Sequence, residues 1–422
     1  MDTIFALSSG APPAGIAVLR ISGPAARNAL ITLAGALPEP RRATYRILRG
    51  SEGAELDRAL VLWLPGPRTA TGEDLAELHL HGGRAVIDAV QRELATLPQL
   101  RLAQPGEFTR RAFANGRIDL NEAEGLADLL SAETEMQRRA ALAAVGGVLS
   151  RKVEGWRVRL LQLSALVEAA LDFSEEDEVG LPPSFHGELA KLGEELTQAL
   201  AAPAAETLQE GYRVALAGPP NAGKSTLFNA LVGSEAAITT PIPGTTRDVL
   251  TRPVAIAGVP LLLVDMAGLR DGADAIEAIG IARAADEIAR ADLVLWLGPE
   301  GQGPAGSWEI EAQWDRADRF RKVNPEARVS AVTGLGMDEL RLKLADQAGA
   351  AMPRPGEAAL NRRQRRLLTE AAVALQDAAG NDDPLLVAEQ LRHARLAFDR
   401  LTGHASTEDV LDTLFGRFCL GK

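Results

Sequence analysis

Cysteine is almost missing from this chain of 422 residues: there is 1, accompanied by 5 histidines. That excludes a disulfide framework and argues against a structural zinc site, which gathers several thiolates or imidazoles in one place. Long apolar runs are missing too, since none approaches the ~18–20 residues of a spanning helix. The start, Met1-Asp2-Thr3-Ile4, lacks the basic region and apolar core of a signal peptide. Positive charge is in deficit, with 45 Lys+Arg against 57 Asp+Glu and a net charge of -12. Global attraction therefore cannot hold a nucleic acid; a local basic face or a partner protein would be needed. What is present is ordinary for folded protein: 46% hydrophobic and 24% charged residues, which excludes wholesale disorder. The length allows two to four domains. The expectation is a cytoplasmic, multidomain globular protein with no membrane contact.

Three kinds of segment follow one another. Up to about Asn115, strand-like runs such as Gly15–Ile21 and Ala59–Leu64 alternate with Pro/Gly turns. A helix is expected over Gly83–Leu97, with Val86, Val90 and Leu94 on one face, so this part reads as α+β. From Asp119 to about Leu208 the chain is rich in Ala, Leu and Glu. There Trp156, Leu160, Leu163, Val167 and Leu171 fall at helical spacing. A second helical stretch covers about Leu360 to Lys422, with stripes Leu367, Ala371, Leu375 and Val410, Leu411, Leu414, Phe418. Between them strands and helices alternate: a buried strand at Tyr212–Ala217, a hairpin over Val249–Val264, another strand at Asp292–Leu297. The pattern predicts an α/β domain (209–349) inserted into a helical domain (119–208 and 350–422), behind an N-terminal α+β domain (1–118). Two separate small bundles are the alternative.

Gly218-Pro219-Pro220-Asn221-Ala222-Gly223-Lys224-Ser225 fits the phosphate loop G-x-x-x-x-G-K-[ST], placed after a strand and before a helix beginning near Thr226. Glycines let backbone amides close around phosphates, Lys224 reaches the β/γ oxygens, and Ser225 binds Mg²⁺. Leu261–Val264 lead into Asp265-Met266-Ala267-Gly268, a D-x-x-G in which Asp265 supports Mg²⁺ and the Gly268 amide meets the γ-phosphate. Thr246, in Gly244-Thr245-Thr246-Arg247-Asp248, is the second expected Mg²⁺ ligand. Asp315-Arg316-Ala317-Asp318 stands where GTPases usually carry N-K-x-D. Asp318 keeps two acceptor oxygens for the ring N1–H and exocyclic amine of guanine. Asp315 lacks the amide donor of Asn, and Arg316 covers the base as Lys would. Ser330-Ala331-Val332 suits the loop whose amide meets guanine O6. Leu269 occupies the place of a water-orienting Gln and cannot do that work; Glu277 follows within a few residues.

Asn221 offers a neutral carbonyl inside the phosphate loop. The stretch Thr240, Pro241, Ile242, Pro243, Gly244, Thr245 can add backbone oxygens. Neutral oxygens in such a loop suit a large monovalent ion better than Mg²⁺.

These residues, with both ends of the chain, resemble the tRNA modification GTPase MnmE (TrmE) family. The likeness rests on Gly15-Ile16-Ala17-Val18-Leu19-Arg20-Ile21-Ser22-Gly23, His81-Gly82-Gly83 and Pro105-Gly106-Glu107-Phe108-Thr109-Arg110-Arg111-Ala112-Phe113. Asn115-Gly116-Arg117-Ile118-Asp119-Leu120, the nucleotide motifs and the terminal Phe418-Cys419-Leu420-Gly421-Lys422 complete it. The resemblance implies an N-terminal folate-binding-like domain that forms a homodimer. It also implies a flavoprotein partner, MnmG (GidA), that carries FAD and joins this chain in a heterotetramer. The implied activity is modification of the wobble uridine of certain tRNAs at C5. The one-carbon unit would come from 5,10-methylenetetrahydrofolate or 5-formyltetrahydrofolate. By the same likeness Arg20, Glu77, Arg117 and Lys422 contact folate, and Cys419 lies near it. Arg117 keeps the charge of the Lys found in many members but changes its donor geometry. Glu277 matches the residue that orients water, with Lys224 and Thr246 completing the catalytic set. Potassium is implied at Asn221, Thr240, Ile242 and Thr245. Arg110, Arg111, Arg117 and the run Arg362-Arg363-Gln364-Arg365-Arg366 are candidate tRNA or partner surfaces. Competing readings are a ribosome-assembly GTPase of the Era or Der type and a GTP-switched scaffold without folate chemistry.

Overall fold

The computed structural model describes residues 2–172, 181–233, 250–266, 285–354, 359–405 and 407–421. The chain falls into two compact units. One comprises Met1–Ala127, Ser150–Arg157 and Arg395–Lys422; the other comprises Asp128–Leu149 and Val158–Ala394.

In the first unit six strands form one sheet in the order β3-β4-β5-β2-β1-β6. They are β1 (Thr3–Leu7), β2 (Ala14–Ser22), β3 (Thr44–Arg49), β4 (Glu55–Leu64), β5 (Leu75–Gly82) and β6 (Leu100–Leu102). All pairings are antiparallel except β1 with β6. Side chains alternate across the sheet. Leu19, Ile21, Leu78 and Leu80 pack with Leu30 and Leu33 of helix α1 (Ala26–Ala34) and Val90 and Leu94 of α2 (Arg84–Thr96). Arg20 and Glu77, directly paired in register, therefore point to the opposite face. The buried stripe of α2 runs through Ile87 rather than the expected Val86. Residues 87, 90 and 94 follow the helical repeat more closely, which leaves Val86 at the rim.

The last residues belong to this unit as well. Leu414, Phe415 and Phe418 form a cluster with Leu120 and Ala123 of α4 (Leu120–Ser131), against Phe113 of α3 (Glu107–Ala114). Here Phe415 takes the place that the sequence had assigned to Val410, which is exposed. Gly421, at φ 91°, lies against the Leu7 carbonyl so closely that a Cβ would stand 2.0 Å from the oxygen. Ser8 Oγ donates to the Gly421 carbonyl at 2.8 Å.

The second unit holds another six-stranded sheet, ordered β12-β11-β10-β7-β9-β8. Its strands are β7 (Tyr212–Ala217), β8 (Leu250–Ile256), β9 (Val259–Asp265), β10 (Leu293–Trp296), β11 (Trp308–Glu311) and β12 (Ala327–Arg328). Only β8 runs antiparallel, as a hairpin with β9. Val214, Ala215 and Leu216 of β7 are fully buried, as a central parallel strand covered on both faces requires. Around it, Leu227 and Phe228 of α9 (Lys224–Val232) and Leu340 and Leu344 of the helix Met337–Ala350 build the core with Leu261, Leu263 and Leu295.

Helices α5 (Glu135–Val145), α7 (Phe185–Leu200) and α8 (Ala205–Glu210) and the helix Arg362–Ala379 also belong to this unit. Reciprocal caps fix two of the helix starts: Thr134 with Gln137, and Asn361 with Gln364. Ala204 and Leu360 form a parallel bridge, so the chain enters and leaves the α/β part side by side. This is the geometry of an inserted domain. The long helix α6 (Val148–Asp172) has Trp156 stacked on Phe398, with centroids 6.2 Å apart.

Candidate functional site

The phosphate loop begins where β7 ends. Gly223 adopts φ 93°, which favours glycine, and a Cβ there would meet the Gln313 side chain at a tight 3.1 Å. Lys224 is 8% exposed and its Nζ donates to the carbonyls of Gly218 and Pro219, each at 2.9 Å. The ammonium thus arches over the loop it serves. Ser225 and Thr226 sit exposed in the first turn of α9, where the helix N-terminus favours anions. Asn221 has φ 62°, and its neighbour Ala222 is buried. Asp265, 1% exposed, closes β9 beside Leu216 of β7, and Met266 behind it is buried. These groups share the carboxyl ends of parallel strands, the usual place for ligands in an open α/β sheet.

A cavity of about 130 Å³ joins this loop to the proposed base-reading segment. Gly223, Thr226 and Leu227 line one side; Gln313, Asp315, Arg316, Ala331 and Val332 line the other. Asp315 accepts a hydrogen bond from Ser330 Oγ at 2.5 Å, and this bond holds its carboxyl below the usual carboxylate range. Ser330 itself is fully buried. Arg316, at the cavity wall, forms a two-point pair with Asp318, Nε to Oδ1 at 2.9 Å and Nη2 to Oδ2 at 2.7 Å. That pair lowers the Asp318 pKa. Arg319 braces the same segment: Nε donates to the Glu311 carboxylate at 2.9 Å, and its guanidinium lies 4.4 Å from the Trp314 ring centroid. Thr240, Pro241, Ile242, Pro243, Gly244, Thr245, Thr246, Ala267, Gly268, Glu277 and Lys422 lie outside the described residues.

Comparison with known proteins settles the kinship. The MnmE helical domain family matches residues 120–419, and the family of the GTP-binding protein TrmE N-terminus matches residues 3–117. A tRNA modification GTPase MnmE from Novosphingobium aromaticivorans is 62% identical over 435 residues, covering 100% of both chains. Those of Erythrobacter litoralis and Zymomonas mobilis are 61% and 51% identical, again covering 100% of both chains. The chain belongs to the MnmE family of tRNA modification GTPases. It is a GTP-binding member of that family, with an α+β N-terminal domain, a helical domain and an inserted P-loop GTPase domain.

In the MnmE N-terminal unit, two of the residues expected at folate come together. Arg20 Nη2 lies 2.8 Å from Glu77 Oε1, with both side chains about one-fifth exposed, and His79 Nε2 lies 3.4 Å from Glu77 Oε2. Arg117 is exposed, its stem packed against Gly72. Cys419 is exposed, while its neighbour Phe418 is the buried member of the tail.

The basic candidates also carry ion pairs within the chain. Arg111 is bound to Asp2, Glu73 and Glu107, and Arg110 to Asp412 and Glu408. Arg365 caps the end of α7, donating to the carbonyls of Leu200 and Ala202. Arg362 lies 3.8 Å from Glu206, and Arg366 pairs with Glu370 at 2.8 Å. These side chains serve as internal ties before any tRNA is considered. Gln313 is the site residue that sequence reading missed. Its only trace in the sequence is an uncharged amide two residues before the base motif. No helix among the described residues is long and apolar enough to cross a membrane.

Proposed function

We propose that this tRNA modification GTPase hydrolyses GTP at the carboxyl ends of β7 and β9, in the service of tRNA chemistry. With an FAD-dependent MnmG-type partner it installs a carboxymethylaminomethyl-type group at C5 of the wobble uridine. The one-carbon unit derives from a tetrahydrofolate. The observation that carries this reading is the cavity shared by the phosphate loop and the segment Gln313–Arg316, in a chain of MnmE kinship.

Each residue has a task. Lys224, now bonded to its own loop, would turn to the β/γ oxygens; Asp318 would exchange its Arg316 partner for the guanine edge. The hydroxyls of Ser225 and Thr246, supported by buried Asp265, suit a hard cation, and Mg²⁺ there supplies charge neutralisation between phosphates. Asn221, Thr240, Ile242 and Thr245 offer the neutral oxygens that suit K⁺. Glu277 holds the attacking water.

In the N-terminal domain, Glu77 is a half-buried carboxylate pinned through one oxygen by Arg20. This acceptor suits the N–H edge of a pterin, with Arg117 and Lys422 as cations for the rest of the folate. The assembly is a homodimer that joins its flavoprotein partner as a cytoplasmic heterotetramer.

The test is mass analysis of tRNA nucleosides from cells lacking this protein, with calorimetric titration of 5-formyltetrahydrofolate into the purified chain. Loss of the C5-modified wobble uridine together with saturable folate binding is expected. Intact modification in the deleted strain would overturn the tRNA reading. Absent folate binding would leave a GTP-switched scaffold.

A further inference from the structure

The segment before the base motif makes a direct tie to the phosphate loop. Gln313 Nε2 donates to the backbone carbonyl of Asn221 at 3.2 Å, across 92 residues of sequence. Its stem rests on Gly223, where a Cβ would stand 3.1 Å from the Gln313 side chain. Both ends of the tie have left-handed backbone, φ 62° at Asn221, a residue type that tolerates it, and φ 55° at Gln313, where it is uncommon. Asp315 cannot make this contact: a carboxylate has no donor, and its Oδ1 already accepts from Ser330.

We propose that Gln313 is a positioning residue of the nucleotide site, setting the Asn221 backbone and through it the direction of the Asn221 side chain. The consequence reaches both functions of the loop. A fixed Asn221 keeps the loop in its phosphate-binding form before nucleotide arrives, so less ordering has to accompany binding. It also holds the Asn221 side-chain carbonyl ready for the monovalent cation, and this second consequence rests on the potassium reading given above.

Two variants separate the tie from mere packing. Gln313→Met keeps the length and the contact with Gly223 but removes the donor. Gln313→Glu keeps the shape and sets a carboxylate against the Asn221 carbonyl. One neutral hydrogen bond corresponds to about two- to tenfold in affinity. Calorimetry with GDP and Mg²⁺ is expected to show Gln313→Met weakened by about that factor, and Gln313→Glu weakened further. The potassium concentration for half-maximal GTP hydrolysis should rise in both, with the melting temperature of the unliganded protein held within about two degrees of the parent. Affinity and potassium midpoint both within twofold of the parent in Gln313→Met would overturn the proposal. So would equal losses in the two variants accompanied by a fall in melting temperature, since that is the signature of packing alone. If the parent itself shows no potassium dependence, the potassium reading falls, and the GDP affinities still decide the role of Gln313.

Discussion

The two halves of the nucleotide site are built in opposite ways. The phosphate half is backbone: a buried strand, a glycine-rich turn and a lysine whose ammonium folds onto the loop's own carbonyls. The base half is side chain: exposed Asp315, Arg316 and Asp318, tied to one another and to Ser330. Backbone recognition tolerates little change, because it needs particular φ angles in consecutive residues. Side-chain recognition can be redistributed, and here the usual Asn has become Asp while the contact with the phosphate loop is made by Gln313.

That contrast can be broken from either side. Lys224→Ala strikes the backbone-built half and should have the largest effect. Losing the one cation buried in the loop should lower GTP turnover by ~10²-fold or more, measured as phosphate release at saturating GTP. Asp318→Asn strikes the other half. Exchanging a charge-assisted acceptor for a donor facing the guanine N1–H should weaken GTP by ~10–100-fold. ATP should be left unchanged, as read by competition binding. The pH dependence follows from the same residue. The Arg316 bond lowers the Asp318 pKa, so the carboxylate persists as pH falls from 8 to 5, and the contribution of Asp318 to GTP affinity stays flat over that window. It is lost only at more acid pH, below the ordinary Asp value of about 4.

Asn221→Ala tests the hinge between the halves. The parent should hydrolyse GTP about tenfold faster in potassium chloride than in sodium chloride at equal ionic strength. The variant should be equally slow in both, and equal rates for the parent would remove the cation from the scheme. The smallest effect belongs to Asp315→Asn, which returns an amide to the base loop while keeping an acceptor for Ser330. GTP affinity should rise by about two- to fivefold. No change would mean that Gln313 already supplies all of the coupling between the loops.

How much of this was legible in the sequence depends on how far apart the partners lie. Strands β7 and β10, the β8–β9 hairpin and the phosphate loop were readable because each is specified by a short run of adjacent residues. The inserted arrangement was readable from a change of composition. The partners of Arg110 were not: Glu408 and Asp412 lie 298 and 302 residues away, and a basic pair near a helix looks the same whether it faces RNA or an acidic helix of its own chain. Gln313 was invisible for the same reason, since an isolated glutamine has no periodicity or motif to mark it. At the Arg20–Glu77 pair the residues themselves suggested only a surface ion pair. Their assignment to a ligand came from resemblance, and the geometry adds that they are half-buried neighbours in register.

The docking of Gly421 onto Ser8 sets a timetable for synthesis. The two residues lie 413 apart, so at ~5–20 residues per second the first strand waits roughly 20–80 s for its neighbour to be made. For most of that interval Phe113 and Leu120 have no Leu414, Phe415 or Phe418 to cover them. A ribosome that stops early therefore releases a chain with an uncovered aromatic patch, the kind of surface that chaperones and proteases recognise in nascent chains. Losing Phe415 alone would cost about 3–5 kcal/mol, a large part of the stability of an ordinary domain. In this protein residues 414–421 decide whether the surfaces around Ser8 and Phe113 are covered.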